Sequence, residues 1–419
     1  MASLKGAAMF GQSGGPTAVI NASASGVFQQ ALKEKSITAV YGAAHGIRGI
    51  LTEEFYDMSK ETQEQLDLLK TTPSSALGSV RYKLKDADVE DTDYKRLLEV
   101  FKKYNIRYFF YNGGNDSMDT CNKISKYMAR SGYECRVIGV PKTIDNDLSG
   151  TDHCPGYGSA AKYVATTIME IYQDANVYDT PMITIIEIMG RNAGWLTAAS
   201  VLAAYKGAGP DLIYLPEVPF TIEKFLYDVK KVYDSKTDKK VIVAVSEGCK
   251  NAEGKYIAEM SQSSLAKDAF GHAQLGGAAS VLGDIVKDAF KCKVRSIEFS
   301  LMQRCGSHVG SLTDINEAFL AGQEAVKAAV SGKTDYMVAF ERSYRNGQYV
   351  CSTKLIELSA AANTEKTVPM EWLNEERNFL KKEFVDYALP LIQGPSNMPL
   401  EDGLPKFAKL NKVLVNKNI

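Results

Sequence analysis

Two stretches concentrate groups able to handle phosphate: GGNDSMDT at 113–120 and PKTIDND at 141–147. Each sits at the end of an apolar run. PKTIDND offers Lys142, Thr143, Asp145 and Asp147 within six residues. Two carboxylates two apart on an extended segment point the same way. One can take a proton from a hydroxyl while the other organises magnesium. A buried structural turn has no need of so many charges, because unpaired buried charge is costly. In GGNDS, Asn115 and Asp116 can offer oxygens to magnesium or its waters. The plainer role is helix capping, which needs only one of them. Asp116 poses the sharper question. An aspartate beside a phosphate-binding turn repels phosphate, unless its task is to refuse one particular phosphate.

Other turns carry chemistry more weakly. GQSGGPTAVINAS (11–23) runs from a strand through Gly14 into a helix, where freed N–H groups bind anions. It lacks the lysine of a P-loop and the full dinucleotide-binding glycine spacing. MGRNAGW (189–195) places Arg191 where it suits a phosphate, and VSEG (245–248) places Glu247 where it suits a sugar hydroxyl. VRSIEFSLMQRCGSH (294–308) holds Arg295 and Arg304, candidates for a second phosphate. Surface ion pairs are the commoner fate of an arginine, and Arg81 in LGSVRYK is open in the same way.

These turns need a scaffold that brings strand ends together. Apolar runs at 6–11, 37–44, 106–114, 136–142, 182–190, 212–216, 240–248, 295–302 and 336–340 read as strands. Several are β-branched and aromatic throughout, as in parallel sheets covered on both faces. Helical patterns lie between them at 17–33, 119–131, 159–174, 222–235 and 312–331. Strand–helix alternation predicts a doubly wound α/β class. The turn-rich segment 149–159 suits a crossing between lobes. After residue 360 the strand rhythm stops. A helix is expected over 371–387, then an irregular tail.

The 419 residues suit two α/β domains. The chain is 45% apolar and 24% charged with a net charge of -1, which gives no whole-surface attraction for nucleic acid or anionic membrane. Seven cysteines without a CxxC read as reduced thiols in a cytoplasmic protein. Four histidines, none paired at metal-ligand spacing, argue against zinc. No signal peptide opens the chain, and no apolar stretch reaches the ~18 residues of a membrane span.

Taken in order, SGGPTAVIN, LGSVR, GGNDS, PKTIDND, MGR, SEG and a final Arg–x8–Arg, spread over residues 13–304, resemble the phosphofructokinase family. The resemblance implies a two-lobed fold, each lobe a mainly parallel sheet flanked by helices, with the active site in the cleft. It implies a donor and metal lobe at 1–155 completed by 305–360, a sugar-phosphate lobe at 156–304, and a helical extension at 361–419. The implied reaction is phosphoryl transfer to the 1-hydroxyl of fructose 6-phosphate. Asp145 then resembles the base. Thr143, Ile144 and Asp145 resemble the contacts at the reacting end, and Met189, Gly190, Arg191 and Glu247 the sugar pocket. Arg304, with Arg295, resembles the clamp on the 6-phosphate. Gly14, Arg81 and Lys142 resemble donor-phosphate contacts. Magnesium would rest on Asp147, with Asn115 beside it. The assembly implied is a homodimer or homotetramer.

ATP-using relatives carry glycine where Asp116 and Lys142 stand, and the pyrophosphate-using branch carries Asp and Lys. An aspartate near the place for the α-phosphate of ATP repels it and fills its space. Lysine neutralises charge on the transferring phosphoryl and on the leaving phosphate. Pyrophosphate is therefore the expected donor, in a reversible reaction yielding fructose 1,6-bisphosphate and phosphate, as in glycolysis and its reverse. The alternatives are an ATP-dependent phosphofructokinase and a non-catalytic regulatory subunit. Three positions depart from the family pattern: Asn115 for a metal-binding Asp, Leu301 for a His or Tyr near the sugar phosphate, and Met182 for an arginine that reaches a neighbouring subunit.

Overall fold

The computed structural model describes residues 4–260, 277–362 and 365–417. Its principal strands, in chain order, are β1 (Gly6–Gln12), β2 (Ile37–Ala43), β3 (Phe55–Asp57), β4 (Ile106–Gly113), β5 (Arg136–Pro141), β6 (Met182–Ile188), β7 (Leu212–Tyr214), β8 (Lys240–Ser246), β9 (Lys293–Glu298), β10 (Tyr336–Arg345) and β11 (Gln348–Glu357). β1, β6 and β8 are buried at every residue. Their apolar side chains leave both faces of each sheet to be covered by helices.

The strands form two sheets. The larger runs β11-β10-β5-β4-β1-β2-β3, and the smaller β7-β8-β6-β9. β10, β5, β4, β1 and β2 are parallel, with β11 and β3 antiparallel at the edges. All pairs of the smaller sheet are parallel. The chain builds the larger sheet through β5, crosses to the smaller after residue 142, and returns through the helix Leu312–Val330 to add β10 and β11. In the larger sheet the direction of winding reverses between β1 and β4. Open parallel sheets bind ligands at such a reversal, beyond the carboxyl ends of the strands.

The last segment spans both sheets. Trp372, Phe384 and Tyr387 pack around Trp195 on the smaller-sheet side. Further on, Leu414 bridges Tyr56 of β3, and Val415 N–H donates to Phe55 O at 3.0 Å.

The expected helix over 371–387 is corrected. Only a short 3₁₀ turn (Met370–Trp372) and the helix Lys382–Ala388 form there. The Asn374 carboxamide accepts from Asn378 N at 2.9 Å and Phe379 N at 3.1 Å, and Arg377 takes a left-handed φ of 56°. Side-chain bonds of this kind compete with helix. The expected strand over 295–302 starts and ends earlier, at Lys293–Glu298, and turns at Ser300 (φ 45°) into the 3₁₀ segment Ser300–Arg304. The helices Thr92–Lys103 and Ala278–Phe290 and the strands β3 and β11 were not anticipated.

Candidate active site

Six strand ends converge on one region. β5, β4 and β1 are neighbours in the larger sheet, and their carboxyl ends carry Lys142–Asp147, Gly114–Asp116 and Ser13–Gly15. β8, β6 and β9 are neighbours in the smaller sheet, and beyond them lie Glu247, Met189–Asn192 and Ser300–Arg304. A cleft of about 250 Å³ is lined by residues of both sets, among them Gly14, Arg81, Asn115, Asp116, Lys142, Thr143, Asp145, Asp147 and Arg191.

The glycine turn after β1 does not open directly into a helix. The helix Ile20–Ala31 begins only at Ile20, so Gly14 does not stand at a helix terminus as expected. The turn packs instead on the loop bearing Arg81. Gly14 N–H donates to Val80 O at 3.3 Å, and Ser79 Oγ donates to Gly14 O at 2.7 Å. Gly14 sits at φ +74°, a conformation that side chains disfavour. The free helix terminus lies after β4, where the helix Asn115–Arg130 starts from Gly114. Asp116 is exposed in its first turn, at the positive end of the helix dipole.

Lys142 reaches from β5 to the β1 turn, where its Nζ donates to Gly15 O at 2.6 Å. Burial pulls its ammonium down to about 8, against the pull of Asp145 and Asp147. Burial also raises Asp145, with Lys142 and Arg191 opposing. Asp147 is pushed up to about 7 by burial, with Asp145 and Glu365 adding to the rise. Asp145 and Asp147 do not reach the cleft by strand alternation, as an extended segment would bring them. Asn146 between them is left-handed, φ 55°, and the chain turns there. Thr143 Oγ1 accepts from Asp145 N at 3.0 Å and so closes the turn.

On the other wall, Glu247 Oε1 accepts from Gly190 N at 3.3 Å, and Ser246 Oγ donates to Gly190 O at 2.6 Å. Gly190 has φ +141°, and a Cβ there would lie 2.7 Å from Ala193 O. Burial drives Glu247 up to about 7. Met189 N–H donates to Gln303 Oε1 at 3.2 Å, which ties the MGR turn to the segment bearing Arg304. A Cβ on Gly15 would lie 3.0 Å from Arg304 Nη1, so Arg304 spans to the opposite wall.

Two expected site residues are placed elsewhere. Arg295 pairs in register with Thr184, in the middle of β6, four residues before its carboxyl end. Its guanidinium bonds Asp174 at the end of the helix Tyr157–Ala175. The expectation that it clamps a phosphate in this chain's own cleft is corrected. Ile144 is buried in the apolar core beneath the turn, so it does not line the cleft. Leu301 lies in the Ser300–Arg304 segment at the site and is 54% exposed. Sequence reasoning also missed Asn192, Glu365 and Gln303. Asn192 Nδ2 donates to Glu365 Oε1 at 2.7 Å, at the cleft. Glu365 follows the last strand of the larger sheet, and no motif announces it. His272 lies outside the described residues.

Asn115 Nδ2 donates to Asp147 Oδ2 at 3.2 Å. Asn115 Oδ1 is buried and accepts no hydrogen bond. An orphaned carbonyl oxygen beside a carboxylate is an oxygen-only donor set, which fits a hard divalent cation rather than a thiolate- or imidazole-seeking one. Among the described residues, His153, Glu317 and Cys351 also cluster. There both imidazole nitrogens already face carboxylates: Asp152 at 2.8 Å and Glu317 at 2.7 Å. Both ring nitrogens are thus already engaged by carboxylates, which leaves neither turned toward a metal.

With this geometry in place, comparison with known proteins is direct. A phosphofructokinase family model matches residues 8–300. The pyrophosphate–fructose 6-phosphate 1-phosphotransferase of Halomonas elongata is 40% identical over 416 residues, 98% of this chain and 98% of that protein. The enzyme of the same name from Xanthomonas campestris is 42% identical over 418 residues, covering 98% and 97%. The crystal structure of a pyrophosphate-dependent phosphofructokinase from Marinobacter aquaeolei superposes with a TM-score of 0.87 at 39% identity, covering 99% of this chain and 98% of that one.

Proposed function

The chain belongs to the phosphofructokinase family, and we propose that it transfers a phosphoryl group reversibly between pyrophosphate and the 1-hydroxyl of fructose 6-phosphate. The observation that carries the donor assignment is the meeting of Lys142 and Asp116 in one cleft with Asp145. No helix among the described residues is long and apolar enough to cross a membrane.

In this reading Asp145 accepts the proton of the attacking hydroxyl. Burial raises its affinity for that proton, while Lys142 and Arg191 keep part of its anionic character. Lys142 lies between the donor turn and the base, where charge on the leaving phosphate develops. Gly14 and Arg81 hold the rest of the pyrophosphate. Arg191 and Glu247 orient the sugar, and Arg304 holds its 6-phosphate. Asp147 and Asn115 Oδ1 would hold a magnesium ion, which when bound neutralises charge on the donor oxygens. Asp116 occupies the mouth of the cleft, where the longer chain of ATP would extend. Assembly as a homodimer or homotetramer fits the half-exposed apolar pair Leu301 and Met302 beside Arg304; light scattering measures it directly.

The test is a coupled assay with fructose 6-phosphate and magnesium, run in parallel with pyrophosphate and with ATP. Turnover with pyrophosphate alone is expected. Turnover with ATP alone would overturn the donor assignment.

A further inference from the structure

The turn that carries Asp145 and Asp147 is held from beneath by a side chain that touches neither the cleft nor any reacting atom. We propose that Tyr387, on the C-terminal helix Lys382–Ala388, is a positioning residue for that turn and acts through Asn146. The inference rests on Asp145 and Asp147 being the working carboxylates of the reading above. Tyr387 lies beyond the segment 8–300 that matches the family model.

Asn146 is wholly buried and left-handed, φ 55°. A non-glycine residue stays there only when its surroundings over-determine it. Here two side-chain bonds do so. Asn146 Nδ2 donates to Tyr387 Oη at 2.8 Å, and Asn146 Oδ1 accepts from Cys154 N at 2.9 Å. The tyrosine hydroxyl has one proton to give, and it gives it to Asp152 O at 2.8 Å. Its donor and acceptor capacities are thus both used, and the hydroxyl has one orientation.

The ring is fixed as firmly. Arg342 stacks on it, with the guanidinium carbon 4.5 Å from the ring centre, and Arg342 Nη1 donates to Tyr387 O at 2.7 Å. The same arginine grips Asp152 through Nε at 3.2 Å and Nη2 at 3.0 Å. Trp195 and Trp372 close on the ring with centroids at 5.2 and 5.5 Å. Tyr387, Asp152 and Arg342 therefore form a closed circuit, and Asn146 hangs from it. The backbone angles of Asn146 set the directions of its two aspartate neighbours. Misplacing a reacting group by about 1 Å can cost about 10²-fold in rate, so a loose Asn146 is felt at the cleft.

The experiment combines Tyr387→Phe, which removes only the hydroxyl, with Asn146→Gly, which keeps the left-handed turn but loses both side-chain bonds. Each single variant is expected to lower kcat about tenfold while the KM values for fructose 6-phosphate and pyrophosphate stay within about twofold. The double variant is expected to be about as slow as Asn146→Gly alone, since that variant already lacks the bond to Asn146 that Tyr387→Phe breaks. Amide hydrogen exchange should quicken over 144–148 in Tyr387→Phe and stay unchanged over 240–246. Wild-type kcat in Tyr387→Phe, losses that multiply in the double variant, or unchanged exchange over 144–148 would each overturn the proposal. If the wild-type protein does not turn over with pyrophosphate, the functional reading falls instead. The exchange measurement then still decides the link between Tyr387 and the turn.

Discussion

Lys142 Nζ donates to the carbonyl oxygen of Gly15 at 2.6 Å, joining the end of β5 to the end of β1 across the intervening β4. The lysine is 4% exposed, and burial holds its ammonium near 8, below the ordinary lysine value. Below that value it is charged and can receive phosphate; above it the charge is lost. kcat/KM for pyrophosphate is therefore expected to decline as pH rises through about 8. Lys142→Arg, whose guanidinium stays charged to far higher pH, should move that limb upward even if its overall rate is lower. An alkaline limb unmoved in the arginine variant would separate it from Lys142. Lys142→Met should lower turnover with pyrophosphate by about 10²-fold or more at neutral pH, in line with loss of one charge-stabilising group.

Asp145 is the buried carboxylate whose proton affinity is raised while two cations oppose the rise. Asp145→Asn keeps the shape and removes the base. The expected result is a fall in kcat of ~10² or more with fructose 6-phosphate binding roughly intact. Isothermal titration with the sugar phosphate and a turnover assay on the same sample check the two halves. Near-normal turnover would remove Asp145 from proton transfer.

How much of this was readable beforehand depends on how local the cause was. The parallel strands of both sheets announce themselves because they are mostly apolar and buried, as β1, β6 and β8 are throughout. GGNDS and PKTIDND declare their chemistry because glycine, lysine and aspartate crowd strand ends. Arg295 misled for the same reason in reverse. Its residue type suits phosphate, but strand register fixes its depth, and register belongs to the pairing of β9 with β6. Asn146 lay in plain view inside TIDND, yet its left-handed angle depends on Cys154 and on Tyr387, 241 residues away. Glu365 and Gln303 were invisible because each acts through a single long-range bond. The failed helix over 371–387 shows a local competitor, the Asn374 side chain, overriding a favourable apolar pattern.

Asp116 stands exposed at the mouth of the cleft, in the first turn of the helix Asn115–Arg130. Removing a repulsive group relaxes specificity without creating new contacts. Asp116→Gly is expected to give measurable turnover with ATP while pyrophosphate turnover stays within about tenfold of wild type, because a longer donor gains room the short one never used. Paired assays with the two donors decide it. No ATP turnover in a variant that still uses pyrophosphate would place donor choice elsewhere.

His153 offers a prediction about stability rather than rate. Its ring is 2% exposed, with Nδ1 2.8 Å from Asp152 and Nε2 2.7 Å from Glu317. Burial alone would lower its proton affinity, but Glu317 and Asp152 overcome that and hold it above the ordinary histidine value. Arg342 pairs with Asp152, and the Tyr349 hydroxyl donates to Glu317 Oε1 at 2.9 Å. A base whose folded affinity for a proton exceeds its unfolded one stabilises fully below its unfolded value, about 6.5. That contribution drains away as pH rises through the higher folded value. Thermal unfolding of the wild-type chain should therefore drop in midpoint as pH rises above about 6.5 more steeply than that of His153→Gln, which has no proton to lose. The variant should also be less stable at low pH by about 3 kcal/mol or more, because it leaves the buried Glu317 without its cationic partner, while Asp152 keeps Arg342. Parallel midpoint-versus-pH curves for the two proteins would show that His153 is not the group that titrates.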